Sequence, residues 1–346
     1  MSIGNGLTRG LLALFIVSLS WRLDAAFLVV DSEADAIDIA PGDGLCSAGP
    51  ALPGGGCALR AAIMEAEAHG EADTILLPPG ANIALTLSGE GGSEVGDFEI
   101  NSEIEILGFE GSTPRLNPAL LPTINAEALN DRHFEVTNGQ LVLRGLRLIR
   151  GAVFGSGGAI RASNVGASQI TVDYVVFADN FASISGGAIS VGGRSSLEVN
   201  DSQFLFNNAG LGGATGGGAA LIVNGFETAP GQTVIRRSSF LDNRSTISGS
   251  TITVQGFGQI EIENSTLDGT LFSAPAPGSS ALTGVVAQGE STLSKRNVTI
   301  TNFLESAFDL RDLGAIEAQA PDALFREAFE ILFQKTIKAA GPSWRE

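Results

Sequence analysis

The sequence predicts an all-β fold, a parallel β-helix, on three observations. A Phe-x-x-Asn core recurs as Phe177-Ala-Asp-Asn180, Phe204-Leu-Phe-Asn207 and Phe240-Leu-Asp-Asn243, with degenerate copies at Leu148, Leu267 and Thr299. Positions 148, 177, 204, 240, 267 and 299 are 29, 27, 36, 27 and 32 residues apart, and a period near 30 suits one turn of a solenoid. A second motif follows each core: Gly157-Gly158-Ala159-Ile160, Gly186-Gly187-Ala188-Ile189, then the drifted Gly217-Gly218-Ala219-Ala220 and Gly249-Ser250-Thr251-Ile252. The offset from core to Ala or Thr is 11 residues in three copies and 15 in the third, so insertion is expected at one fixed point per unit. The third observation is a set of short period-two runs, such as Ile170-Thr-Val172, Leu197-Glu-Val199 and Ile260-Glu-Ile262, with no helical stripe between residues 97 and 310.

Taken from the N terminus, Arg9 followed by the uncharged apolar run Leu11 to Trp21, with Ala25 and Ala26 after it, reads as an export signal over residues 1–25. The alternative is a buried N-terminal helix or an uncleaved anchor, for which the run is short. Residues 26–96 form a region ahead of the repeats. Its Cys46 and Cys57 are the chain's two cysteines, and an even count, short separation and oxidising destination favour a disulfide over two free buried thiols. Leu59, Ala62, Ile63 and Ala66 make one apolar face of a helix within 57–68, ended by Gly70. That helix is expected to cap the first rung, with Arg60 paired to a nearby carboxylate or, alternatively, free to bind.

The β-helix itself is placed at 97–312, with seven to nine rungs. Val, Ile, Leu and Phe point inward, glycines turn the corners, and Asn180, Asn207 and Asn243 stack as a structural ladder, Asn being tolerant of left-handed backbone. The alternative role for these amides, lining a groove, is the less favoured. Residues 313–346 form a closing segment in which Phe325, Phe329, Leu332 and Thr336 fall at helical spacing within Pro321 to Ala340. That short C-terminal helix is read as covering the last rung, whose strand edges would otherwise be open, with partner binding as the alternative.

Two segments resemble known families. Gly42-Asp-Gly-Leu-Cys46, leading to Cys57-Ala-Leu-Arg-Ala-Ala62, is similar to the N-terminal CSLREA domain of exported bacterial proteins, with Ala58 and Ala61 in place of the motif's Ser and Glu. The Gly-Gly-Ala-Ile and Phe-x-x-Asn repeats look like those of polymorphic outer-membrane proteins. Asp312-Leu-Gly-Ala-Ile-Glu317 resembles the stretch that closes many such β-helices. The resemblance implies a right-handed parallel β-helix of the cell surface or extracellular space, and it says little about activity.

Charge narrows function further. Lys+Arg 20 against Asp+Glu 38 gives 20 − 38 = −18, which repels phosphate backbones and makes nucleic acid an unsuitable partner. No run is long enough to span a bilayer, so a transmembrane protein is excluded. Gly-rich runs lack the Lys-Ser/Thr of a phosphate loop, two distant histidines offer no nucleophile triad, and neither cofactor nor metal is expected. The role this leaves is a non-catalytic solenoid presenting a face for adhesion, to an extracellular polysaccharide or a cell-surface protein. The competing reading is a polysaccharide lyase or glycoside hydrolase. Its catalytic groups would be Glu261 and Glu263, on one strand face, with Arg236 and Arg237 on the adjacent rung. Convergence of these four in a groove would support the enzyme, and mutual pairing would support the binding or structural role.

Overall fold

The computed structural model describes residues 25–52, 56–89, 91–108, 120–162, 166–210, 217–245, 250–268 and 283–301. Residues 1–24 of the expected leader 1–25, and the closing segment 313–346 with its helix, lie outside the described residues. Within them the chain is mostly strand, arranged in parallel sheets of nine, eight, seven and four strands.

One circuit explains the whole arrangement. Gln140–Arg144 lies in the nine-stranded sheet, Arg147–Ile149 in the eight-stranded, Ala152–Val153 in the four-stranded and Ile160–Ala162 in the seven-stranded sheet. The chain then returns to the nine-stranded sheet at Gln169–Asp173, in parallel register with Gln140–Arg144. Each strand therefore bonds to the equivalent strand one circuit earlier and later, a pattern consistent with a parallel β-solenoid. Such strands are too short to hold alone, and the ladder to both neighbours satisfies their main-chain groups.

Period-two alternation decides what is inside. Leu141, Ile170 and Leu197 are in register and buried, as are Leu143, Val172, Val199, Ile235 and Ile262, while the residues between them face outward. Each side chain so buried stabilises the fold by about 1.5–3 kcal/mol. On the eight-stranded sheet Phe177, Phe204 and Phe240 stack nearly face to face, with centroids 4.7 and 4.5 Å apart. The strand spacing dictates that offset stack, because one ring must sit about 4.8 Å above the next.

Beside the rings runs a polar column that is also fully buried. Asn180 Nδ2 donates to Asn207 Oδ1 at 2.9 Å, and Asn207 Nδ2 donates to Asn243 Oδ1 at 2.9 Å. The main-chain N–H groups of Asn180 and Asn207 donate to the same two oxygens, at 3.1 and 3.0 Å. The second amide hydrogens reach Leu148, Phe177 and Phe204 carbonyls, and Asn180 Oδ1 accepts from Gly151 N–H. These amides are not themselves in left-handed backbone. The positive φ falls one residue earlier, at Asp179, Phe206 and Asp242 (56°, 55° and 51°), and the amide then turns inward to bond the strands.

A second polar ladder went unread in the sequence. Ser202, Ser238 and Ser265 hydroxyls accept the N–H groups of Val175, Ser202 and Ser238, each at 3.1 Å. They follow a corner whose left-handed residue is a glycine only at Gly145; elsewhere it is Tyr174, Asp201, Arg237, Asn264 or Asn297. The expectation that glycines turn the corners fails here, because the hydroxyl ladder and strand pairing fix the corner firmly enough to impose positive φ on other residues.

Register corrects the repeat alignment in two places. Ile189 pairs with Leu221, so the third copy of the Gly-Gly-Ala-Ile motif is Gly218-Ala219-Ala220-Leu221 rather than 217–220. Its Gly218 has φ 69°, like Gly157 (76°) and Gly186 (62°). Leu267 pairs with Ile300, so the last core position is Ile300 rather than Thr299. Insertion also occurs at two points, not one. From Phe204 to Leu221 is 17 residues against 12 from Phe177 to Ile189, and from Leu221 to Thr233 is 12 against 8 from Ile189 to Leu197. The step into the eight-stranded sheet is constant from the circuit of Leu141 onward: 141 to 148, 170 to 177, 197 to 204, 233 to 240, 260 to 267 and 293 to 300 are all seven residues, whereas the two earlier circuits take ten (73 to 83) and twenty (104 to 124).

Ahead of the coil, helix Leu59–His69 starts after extended Ala58 and stops at left-handed Gly70, whose N–H donates to Ala66. Leu59, Ala62, Ile63 and Ala66 join the core cluster containing Ile75, Ile83 and Phe98. A Cys46–Cys57 disulfide, Cα atoms 5.1 Å apart, precedes the helix. Arg60 is fully buried. It bonds Asp35 through Nε at 2.6 Å, donates to Ser93 and Gly96 carbonyls, and lies over the Phe98 ring. Among the described residues no helix is long and apolar enough to cross a membrane.

The ladder makes a prediction that runs against hydrophobicity. Asn207→Ala leaves Asn180 with buried donors and no acceptor, and costs about 3 kcal/mol or more. Phe204→Leu, which nearly conserves volume, costs about 1.5 kcal/mol or less. Denaturant unfolding of the two variants measures the ranking.

Candidate functional site

The outward face of the nine-stranded sheet carries the residues proposed for catalysis, and register fixes their neighbours. Gln259–Glu263 lies between Gln232–Arg236 and Thr292–Arg296, so Glu263 faces Arg236 on one side and Arg296 on the other. Its carboxylate bonds Arg236 Nε at 3.4 Å and is also in contact with the Arg296 guanidinium. Arg236 in turn reaches Glu198 at 3.0 Å. The result is an alternating row of charges, Glu198–Arg236–Glu263–Arg296, running across the strands.

Glu261 is outside that row. It faces Val234 and Ser294, and no ion pair engages it among the described residues. Arg237 does not reach it either. Arg237 occupies the next corner with φ 48°, where Nη2 bonds Asp201 at 2.6 Å and Nε bonds it at 2.9 Å. That hydrogen bond raises the Arg237 pKa further. The four groups therefore do not converge. The expectation that both arginines flank the two glutamates holds for Arg236 alone, because Arg237 lies past the strand end, where the backbone reverses its direction.

Glu261, Gln232, Gln259, Thr292 and Ser294 border a shallow depression of about 270 Å³. Nothing in it pairs a second carboxylate with Glu261. Asp173, farther along the face, has a raised pKa, chiefly from burial and then from Asp201, with Arg144 opposing. No group of three or more His, Cys, Asp or Glu residues able to hold a metal ion occurs among the described residues.

A larger groove, about 360 Å³, lies where the four-stranded sheet turns into the seven-stranded one. Its floor is the outward side of Ile160–Ala162, Ile189–Gly193 and Leu221–Gly225, with Arg161, Ser190, Asn224 and Gln255 along it. Asn224 and Gln255 are in register and set two amides one strand apart. Ile184 forms a partly exposed apolar edge, and Phe154, on the equivalent turn one circuit earlier, is 97% exposed. Arg161 is partly neutralised by Glu135 at 3.7 Å. This set donates and accepts hydrogen bonds without a strong net charge, and it has no nucleophile with an adjacent base. The groove was not legible in the sequence, since its residues come from four circuits and from the connection that leads into the seven-stranded sheet.

The two histidines are structural in setting. His69 Nδ1 lies 3.0 Å from Asp73. His133 is completely buried, and its Nε2–H donates to the Ile124 carbonyl at 3.0 Å. Burial lowers its pKa from 6.5 to about 4, because a charged ring there would lose its water, and this outweighs the Ile124 and Ile149 backbone carbonyls, which raise it. Nearby Asp97 moves oppositely, from 3.8 to about 6. Burial and Asp131 outweigh Arg132, which Asp97 shares with Glu135.

No protein-family model matches the chain, and no curated protein matches its sequence.

These shifts give a signed pH dependence. Between pH 6.5 and about 4 the unfolded chain protonates at position 133 and the folded chain does not, so stability falls as pH falls, by about 3 kcal/mol at most. Asp97 works the other way: between about 6 and 3.8 the folded state binds the proton more tightly, and acid stabilises. His133→Gln is expected to flatten the acid limb of a stability–pH profile, and Asp97→Asn to steepen it. Unfolding measured from pH 7 to 4 checks both signs.

Proposed function

We propose that the chain is an exported, non-catalytic protein of the cell surface or extracellular space, whose right-handed parallel β-helix presents a face to an extracellular polysaccharide. In this reading residues 1–25 are its export signal, 26–96 a CSLREA-like cap, 97–312 the β-helix and 313–346 its closing segment. Right-handedness follows from the rule for parallel crossovers. Membership of the CSLREA and polymorphic outer-membrane-protein group rests on the motifs around Cys46, Cys57 and the repeats. The disulfide fits an oxidising destination.

The observation that carries the non-catalytic reading is the neutralisation of Glu263 between Arg236 and Arg296. A general acid or nucleophile needs a second carboxylate or a base within reach of one bond, and Glu261 has neither. The groove with Ser190, Asn224 and Gln255 supports binding instead. Side-chain amides and hydroxyls match the donor and acceptor pattern of sugar hydroxyls, and Ile184 supplies apolar contact.

The test is retention and turnover on a panel of neutral and acidic polysaccharides, with and without Ca²⁺. The expected result is binding to one polymer without new reducing ends or unsaturated products, weakened about tenfold or more in the double variant Asn224→Ala, Gln255→Ala. Turnover that Glu261→Gln or Glu263→Gln abolishes would establish the lyase or hydrolase reading in its place.

A further inference from the structure

We propose that Ala26 is the first residue of the exported protein and that its α-ammonium group is held by the buried carboxylate of Asp73. The inference rests on the export reading and goes beyond it, naming the bond that is cut and the site that receives the new terminus.

Asp73 is 1% exposed, at the start of strand Ala72–Leu76. Its Oδ1 accepts the Ala26 N–H at only 2.6 Å, and the His69 ring lies against both oxygens at 3.0 and 3.1 Å. Among the described residues no Lys or Arg forms an ion pair with it. Arg60 neutralises the similarly buried Asp35, so the coil does supply cations to buried carboxylates elsewhere. A carboxylate removed from water is costly unless a charge or several donors meet it.

Among the described residues, strand pairing begins at Ala26. Its carbonyl accepts the Thr74 N–H at 2.9 Å, and Phe27–Val29 follows as the outermost strand of the nine-stranded sheet. The sequence independently places small residues at 25 and 26, after an apolar run. Export peptidases favour a small residue before the scissile bond, and the bonds that follow an alanine at this point are Ala25–Ala26 and Ala26–Phe27. Only the first leaves an amine against Asp73; the second removes the Ala26 nitrogen from the protein. Hydrolysis of the Ala25–Ala26 amide consumes one water, and leaves a carboxylate on Ala25 and an ammonium on Ala26. The single N–H donor thereby becomes a cation with three hydrogens, facing Asp73. Removal of the leader then tightens the edge strand onto the sheet, and the precursor lacks that ion pair.

The full chain would be expressed in an exporting bacterial host, and the terminus of the released protein determined by sequencing and intact mass. A start at Ala26 is the expected result. Release with a start at any other residue overturns the proposal and leaves export standing, whereas retention of the uncut chain overturns the export reading beneath it. The site is then tested on the released protein. Its α-amine should be acylated about tenfold more slowly than in Asp73→Asn, one pKa unit of protection, and equal rates overturn the ion pair. Should Asp73→Asn fail to fold, selective acetylation of the wild-type α-amine is expected to lower the thermal midpoint, and an unchanged midpoint is the contrary result.

Discussion

Every strand among the described residues pairs, in parallel and in register, with the strand one circuit away, and that single constraint organises the rest. It turns each position of the repeat into a column about 4.8 Å in pitch. A residue is then judged less by its own propensity than by whether it tolerates its counterparts above and below. Aliphatic columns meet the requirement trivially. Phe177, Phe204 and Phe240 meet it by offset stacking, and Asn180, Asn207 and Asn243 by having donors at one end of the amide and an acceptor at the other. The column Arg236, Glu263, Arg296 meets it by alternating charge, and Glu198, in register with Val234, joins diagonally through Arg236. Alternation of this kind satisfies the stacking requirement by itself, so the charge row argues for structure before chemistry.

The constraint is not uniform around the circuit. From Leu141 onward the corner between the nine- and eight-stranded sheets carries the serine ladder, the left-handed residue and the Phe stack in one seven-residue step of constant length; the two earlier circuits, without that ladder, use longer steps. Among the later circuits, insertions collect at the two connections flanking the seven-stranded sheet. The polar groove lies between those connections, on the part of the surface that can vary without disturbing the columns. Variation placed there changes what is presented while the core repeats itself.

Much of this was legible in the sequence, for reasons the same constraint explains. Period-two runs such as Leu197-Glu-Val199 became strands because one face is buried, and residues recurring at the Phe spacing became stacks. Ser202, Ser238 and Ser265 recur two residues before Phe204, Phe240 and Leu267, a spacing that the serine-rich background masks. The one-residue slip at Gly218 had a different origin. A run of three glycines at 216–218 offers two equal alignments, and only strand pairing with Ile189 chooses between them. Arg237 and Arg236 are adjacent in sequence, yet a left-handed φ at 237 sends them to different carboxylates. Backbone reversals of that kind leave no mark in composition when the residue is neither Gly nor Asn.

The account stands on the stacking register, and the axial separation of equivalent positions measures it most directly. Glu103, Gln140, Gln169, Ser196, Gln232, Gln259 and Thr292 form one outward column. Spin labels on cysteines placed at Glu103 and Thr292 are thus six strand spacings apart, about 29 Å, with label arms offset alike because both share one face. A narrow distance distribution centred there is the predicted result. A broad distribution, or a centre displaced by more than one strand spacing, about 5 Å, would contradict the in-register coil and everything built on its columns.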